Sequence, residues 1–138
     1  MKEPEVEVPN KLQDKVKFFP SVSYLASLRL MATANILLII DAPFDFSVFF
    51  PSKLIDYMSL FKPILAITPM GTTSKVIREY GGVTADPDDA GSIMSGINSV
   101  MKQYNRGELA AVNREFANSF EVNQVKKIYQ MCLNEVLR

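Results

Sequence analysis

The run from Asn35 to Thr68 constrains the fold more than any other part of the chain. Ile36-Leu-Leu-Ile-Ile40 is apolar throughout and rich in β-branched residues, the pattern of a central parallel strand covered by helices on both faces. A polar loop from Asp41 to Pro51 follows, and then helical spacing from Ser52 to Phe61 with Leu54, Ile55 and Met58 facing inward. Pro63 stops that helix, and Ile64 to Ile67 forms a second apolar strand. Strand, helix and strand in this order predict parallel pairing through a right-handed crossover. In open α/β sheets, the loops at the carboxyl ends of the strands are where ligands bind.

The flanking elements extend the same alternation. Val6 and Val8 alternate with Glu5 and Glu7, a weak edge-strand signal, and Val16 to Phe19 is a second strand candidate ended by Pro20. Ser21 or Ser23 caps a helix carrying Leu25, Leu28 and Ala32 on one face. Pro69-Met-Gly-Thr-Thr73 is a turn in which Gly71 supplies positive φ and Thr72 or Thr73 the cap. The next helix runs to Tyr80 and ends at Gly81-Gly82. Val83 to Ala85 is a short strand, and Asp86-Pro-Asp-Asp89 opens a helix with Ile93, Ile97, Val100 and Tyr104 on one stripe. Beyond Gly107 the pattern is helical, marked by Leu109, Val112 and Phe116 and then by Val122, Val125, Ile128, Tyr129, Cys132 and Val136. The fold class expected is α/β: a doubly wound parallel sheet with helices on both faces and a helical C-terminal extension. Residues 1–106 form the sheet domain and residues 107–138 the extension, expected to pack on that domain or on an N-terminal domain outside this chain.

Composition narrows the chemistry. Lysine and arginine total 15, as do aspartate and glutamate, so no basic surplus points to nucleic acid. There is no histidine, which removes Ser-His-Asp and Cys-His catalysis and leaves a poor ligand set for zinc. No metal site is visible. The single cysteine, Cys132, reads as a small core residue and fits a reducing, cytoplasmic compartment. Asp86, Asp88 and Asp89 lack the spacing and glycine of a calcium loop, so they read as turn and cap. The longest apolar run falls far short of the ~20 residues that cross a bilayer. The first ten residues are acidic and unlike a signal peptide.

The loop–helix junction carries the candidate site. Ser47, Ser52, Lys53 and Asp56 are residue types suited to a phosphate and a ribose. A cation at the first helical position opposes the dipole, which makes sense for Lys53 if it faces a phosphate; otherwise it is an ordinary exposed lysine. Asp56 is either a ligand carboxylate or a solvated helix residue, and Ser52 is explained by capping alone. Phe49 and Phe50 serve packing equally well. Gly71, Thr72 and Thr73 open a second helix on the same sheet edge, a candidate contact for a nucleobase or a phosphate, whereas Arg78 and Glu79 read as surface residues. A nucleotide site of this type usually has a glycine-rich loop after its first strand, yet the first glycine here is Gly71. The expectation is that such a strand lies upstream of Met1.

From Val16 to about Tyr104 the chain resembles the C-terminal, Rossmann-like domain of a family 4 glycosyltransferase with the two-domain B fold. The resemblance lies in Val16-Lys-Phe-Phe-Pro-Ser-Val22, Leu25 through Asp41, Pro51-Ser-Lys-Leu-Ile-Asp-Tyr-Met-Ser-Leu-Phe-Lys-Pro-Ile-Leu-Ala66, Pro69-Met-Gly-Thr-Thr73, Val76-Ile-Arg-Glu79, Gly81-Gly-Val83 and Asp86-Pro-Asp-Asp89. The Pro-Ser-Lys-Leu form looks most like enzymes of bacterial surface-polysaccharide assembly. The resemblance implies a donor-binding half that takes a UDP- or GDP-sugar without a metal or other cofactor. It implies retention of configuration and transfer of a hexosyl group to a glycan or lipid-linked acceptor. The partner is an N-terminal domain outside this chain, and the place of work is the cytoplasm at the inner face of the membrane. By the same resemblance a family glutamate holding the ribose falls at Asp56, and one touching the sugar falls at Val48, which has no polar side chain. Ser47, Val48, Phe50, Ser52, Lys53, Leu54, Asp56, Gly71 and Thr72 are the donor-binding residues implied; the catalytic residue is not identified.

Two other readings stand beside this one. The first is a non-catalytic nucleotide-binding or protein-interaction module that has lost the sugar-contacting carboxylate. The second is a flavodoxin-like receiver or small-ligand domain, which the lack of an early acidic pair disfavours.

Overall fold

The computed structural model describes residues 8–107 and 112–136. Its element order is helix α1 (Tyr24–Thr33), strand β1 (Leu37–Ile40), α2 (Lys53–Ser59), β2 (Ile64–Ile67), α3 (Thr72–Tyr80), β3 (Val83–Ala85), α4 (Ala90–Asn105), α5 (Arg114–Asn118) and α6 (Val122–Val136). The strands form one three-stranded sheet in the order β1-β2-β3, all parallel. Leu37 faces Ile64 and Ile40 faces Ile67, while Leu65 faces Val83 and Ile67 faces Ala85.

Side-chain alternation sorts the helices by face. Leu37, Ile39, Ile64 and Ala66 point to one side, where they join Leu54 and Met58 of α2, Ile77 and Tyr80 of α3, and Ala117 of α5 in the buried core. Leu54, Ile64, Ala66, Ile77 and Tyr80 have no exposed surface at all. On the other side α4 lies over β2 and β3. There a Cβ added to Gly96 would stand 3.2 Å from the Ala85 side chain and 3.3 Å from that of Leu65.

The α/β class and the parallel sheet are as expected, and several details differ. Val16 to Phe19 is not a strand: it is irregular, exposed chain, and no strand among the described residues pairs with it. Val6 and Leu109 lie outside the described residues, and Val8 is in irregular chain. The first apolar strand is not covered on both faces. Among the described residues it is an edge strand, and α4 packs mainly over β2 and β3, which leaves Leu38 and Ile40 48% and 68% exposed. Both crossovers advance in one direction, and strand order does not reverse among the described residues. The apolar face expected of α1 contains no buried residue, and Leu25 and Ala32 are exposed although Ser23 does cap the helix through the Ala26 N–H. Ile55 points outward as well. On the α4 stripe, Val100 is buried while Ile97 and Tyr104 are about two-fifths exposed.

Cys132 is exposed, so it is no core residue. Of the C-terminal helices, α5 packs on the sheet domain through Ala117 and Phe116, whereas every residue of α6 from Val122 to Glu135 is exposed. No helix among the described residues is long and apolar enough to cross a membrane.

Candidate functional site

The loop after β1 and the turn after β2 meet at the carboxyl edge of the sheet. Ser47 and Gly71 form an isolated parallel bridge, in which the Ser47 N–H donates to the Met70 carbonyl and the Thr72 N–H to the Ser47 carbonyl, both at 2.9 Å. Gly71 has φ 149°, and a Cβ there would sit 1.8 Å from the Ser47 carbonyl oxygen. Only glycine permits so close an approach of the two backbones. The Thr73 hydroxyl donates to the Phe49 carbonyl at 2.9 Å, and the Phe49 N–H donates to Ser47 Oγ at 3.2 Å. Residues 47–49 and 70–73 therefore form one braced lip.

The cap of α3 is not Thr72 or Thr73. Ser74 Oγ accepts the Gly71 N–H at 3.0 Å and returns a hydrogen bond to the Gly71 carbonyl at 3.0 Å. The N–H groups of Gly71 and Thr72, expected to meet an anion, are thus satisfied within the chain. Ser52 does not cap α2 either. Its backbone is already helical, at φ −57° and ψ −33°, so its hydroxyl makes no cap bond.

The expected residues divide into two groups. Lys53 and Ser52 are exposed at the start of α2, and Asp56 is half-buried one turn further along. Val48 is 80% exposed at the tip of the lip. Leu54 and Phe50 turn the other way. The Leu54 side chain lies in the core and its N–H donates to the Pro51 carbonyl, while Phe50 stacks on Phe120 with ring centroids 6.1 Å apart. Asp56 already has a partner, since Tyr24 Oη donates to its Oδ1 at 2.8 Å. That hydrogen bond, reinforced by desolvation and the carboxylate charge, raises the Tyr24 hydroxyl above its ordinary pKa. Burial and then the same carboxylate raise Tyr57, whose hydroxyl reaches the Leu38 carbonyl at 3.5 Å.

Asp41 and Lys75, which the sequence left unassigned, and Arg78, read as a surface residue and exposed as expected, also face this edge. Asp41, directly after β1, accepts the buried Thr68 hydroxyl at 2.6 Å. Its position as the first polar residue after an apolar strand was the available signal. Lys75 and Arg78 line a cleft of about 620 Å3 along α3, together with Phe46 and Met70. Their spacing with Thr72 was the clue that one stripe of α3 faces outward while Thr73, Ile77 and Tyr80 face the core. Among the described residues no cluster of acidic, cysteine or histidine side chains is placed to hold a metal ion. Compared with protein-family models, with curated proteins and with solved structures, the chain matches none.

Proposed function

We propose that this chain is the nucleotide-sugar-binding half of a glycosyltransferase, moving a hexosyl group from a UDP- or GDP-sugar to a glycan or lipid-linked acceptor. The observation that carries the reading is the junction of β1, its loop and α2 at the carboxyl edge of a parallel sheet, with Lys53 and Asp56 on one short helix. Lys53 offers a cation for a diphosphate, and Asp56 a carboxylate for the two ribose hydroxyls. In this reading the sheet is doubly wound, the reversal of strand order lying at the open edge of β1, where α1 brings Tyr24 to Asp56. Retention of configuration and an N-terminal partner domain belong to the same proposal.

Calorimetric titration with UDP, GDP and their sugars, beside Asp56→Ala, tests it. One nucleotide bound by the parent chain, and lost in the variant, supports a donor half-site. Equal binding by both proteins removes Asp56 from the site and the reading with it.

One observation favours a second reading, that of a non-catalytic binding module: Asp56 is engaged by Tyr24, and the position a sugar would meet is Val48. Val48→Glu separates the two. A donor site gains affinity for the sugar nucleotide over the bare nucleotide, and a module that reads no sugar does not.

A further inference from the structure

We infer that the cleft along the outer stripe of α3 binds the phosphate of an amphipathic ligand, with Lys75 and Arg78 as its cationic partners and Phe46 and Met70 as the wall for a flat apolar group. The choice of a nucleotide as that ligand rests on the proposed function; the anion site does not. The volume, about 620 Å3, is within the range of small-ligand pockets, roughly 300–1,000 Å3.

Arg78 is held for this task. Its Nε donates to Thr84 Oγ1 at 3.3 Å, and one terminal nitrogen lies 3.6 Å from the Met70 sulfur. These contacts fix the guanidinium between α3, β3 and the turn before α3, and leave further N–H groups to donate. Among the described residues no carboxylate pairs with Lys75 or Arg78. Glu79 lines the same cleft as the one opposing charge, so two cations stand against one carboxylate. A planar guanidinium suits bidentate phosphate binding, and the lysine one turn before it adds a mobile point charge.

The apolar wall indicates the rest of the ligand. Phe46 is 66% exposed and Met70 60% exposed, both bordering the cleft beside the cations. A bare inorganic anion leaves that surface wet, whereas a base or other planar ring covers it. The charge comes from side chains rather than from the helix end, because the Gly71 and Thr72 N–H groups are already bonded within the lip. This also separates the cleft from Lys53 and Asp56, which lie on α2.

Backbone amide NMR of the full chain with UDP, and separately with inorganic pyrophosphate, tests the inference. Both probes should shift residues 70–79, and Lys75→Gln/Arg78→Gln should weaken both at least tenfold and flatten the salt dependence. Both substitutions are at exposed positions, and an unchanged spectrum elsewhere confirms folding. UDP shifts confined to Lys53–Asp56 and indifferent to the double variant overturn the inference and leave the donor reading standing. Pyrophosphate binding at residues 70–79 without any UDP response overturns the amphipathic ligand, leaving only a bare anion site, and sinks the donor reading with it. No shift at residues 70–79 from either probe overturns the inference outright.

Discussion

Helices α3 and α6 each present an apolar stripe and meet opposite fates. In α3, Ile77 and Tyr80 lose all contact with solvent beneath α5 and against β2. In α6, Val122 is 82%, Ile128 58% and Tyr129 68% exposed. The difference does not lie in the helices. Consecutive strands β2 and β3 enclose α3, and the crossover itself presses its stripe onto the sheet. No strand follows α6 among the described residues, so nothing local directs its stripe to a partner. Periodicity states what a helix needs to bury; topology decides whether this chain supplies the cover.

The sharpest test of that contrast is truncation beneath the α2–α3 layer. Leu54 is fully buried among Ile64, Met58 and their neighbours. Leu54→Ala should cost about 2–5 kcal/mol in chemical denaturation, the lost transfer energy plus a cavity the rigid layer cannot close. A loss under 1 kcal/mol would mean that the two helix faces are packed alike after all. Next in size is Gly71→Ala. The added Cβ meets the Ser47 carbonyl at 1.8 Å and keeps a positive φ, so the lip must open. The expected cost is about 1–3 kcal/mol. Amide shifts should be concentrated in residues 45–50 and 70–74, and nucleotide or pyrophosphate binding at residues 70–79 should fall with them. Unaltered shifts at Ser47 would refute the bracing.

Tyr80 sharpens the comparison through pH. Burial pushes its hydroxyl from 10.0 up to about 12, partly offset by the charge of Arg114, and the hydroxyl donates to the Lys62 carbonyl at 2.9 Å. The folded pKa exceeds the unfolded one, so the unfolded chain loses its proton first as pH rises. Stability from this group is therefore complete below pH 10.0 and declines through about 12. Tyr80→Phe should cost about 1 kcal/mol at neutral pH and remove part of the alkaline loss, seen as converging denaturation midpoints of the two proteins near the upper pH. Parallel curves would show the phenol to be solvated in the folded state.

Much of this architecture was legible. The β1–α2–β2 unit, Gly81 as the left-handed stop of α3 and Asp89 as the cap of α4 follow from local chemistry, and local chemistry is what a sequence states directly. Misreadings arose wherever a residue's fate depended on a distant partner. Val16 to Phe19 has strand composition but no strand beside it. Ile40 reads as central because its run is wholly apolar, yet α4 stops short of it. In the candidate site the α2 junction was legible as a loop before a helix. The Tyr24 hydroxyl on Asp56, the Ser47–Gly71 brace and the meeting of Phe46 with the cationic stripe of α3 all join residues remote in sequence. No spacing rule announces such pairs, because the fold alone creates them.

The smallest expected effect belongs to α6. Ile128→Ser exchanges residues of similar helix propensity at a site 58% exposed, so neither propensity nor burial predicts much loss. The stability change should stay within about 0.5 kcal/mol, against several for the buried leucine on α2. The measurement gains force if midpoints are taken at two protein concentrations. An apolar stripe without a partner gives the same small change at both. A stripe covered by a second molecule gives a parent midpoint that rises with concentration and a variant whose midpoint does not, since only the assembled form buries Ile128. That outcome would show that α6 and α3 obey the same rule, with the cover drawn from another chain rather than from this one.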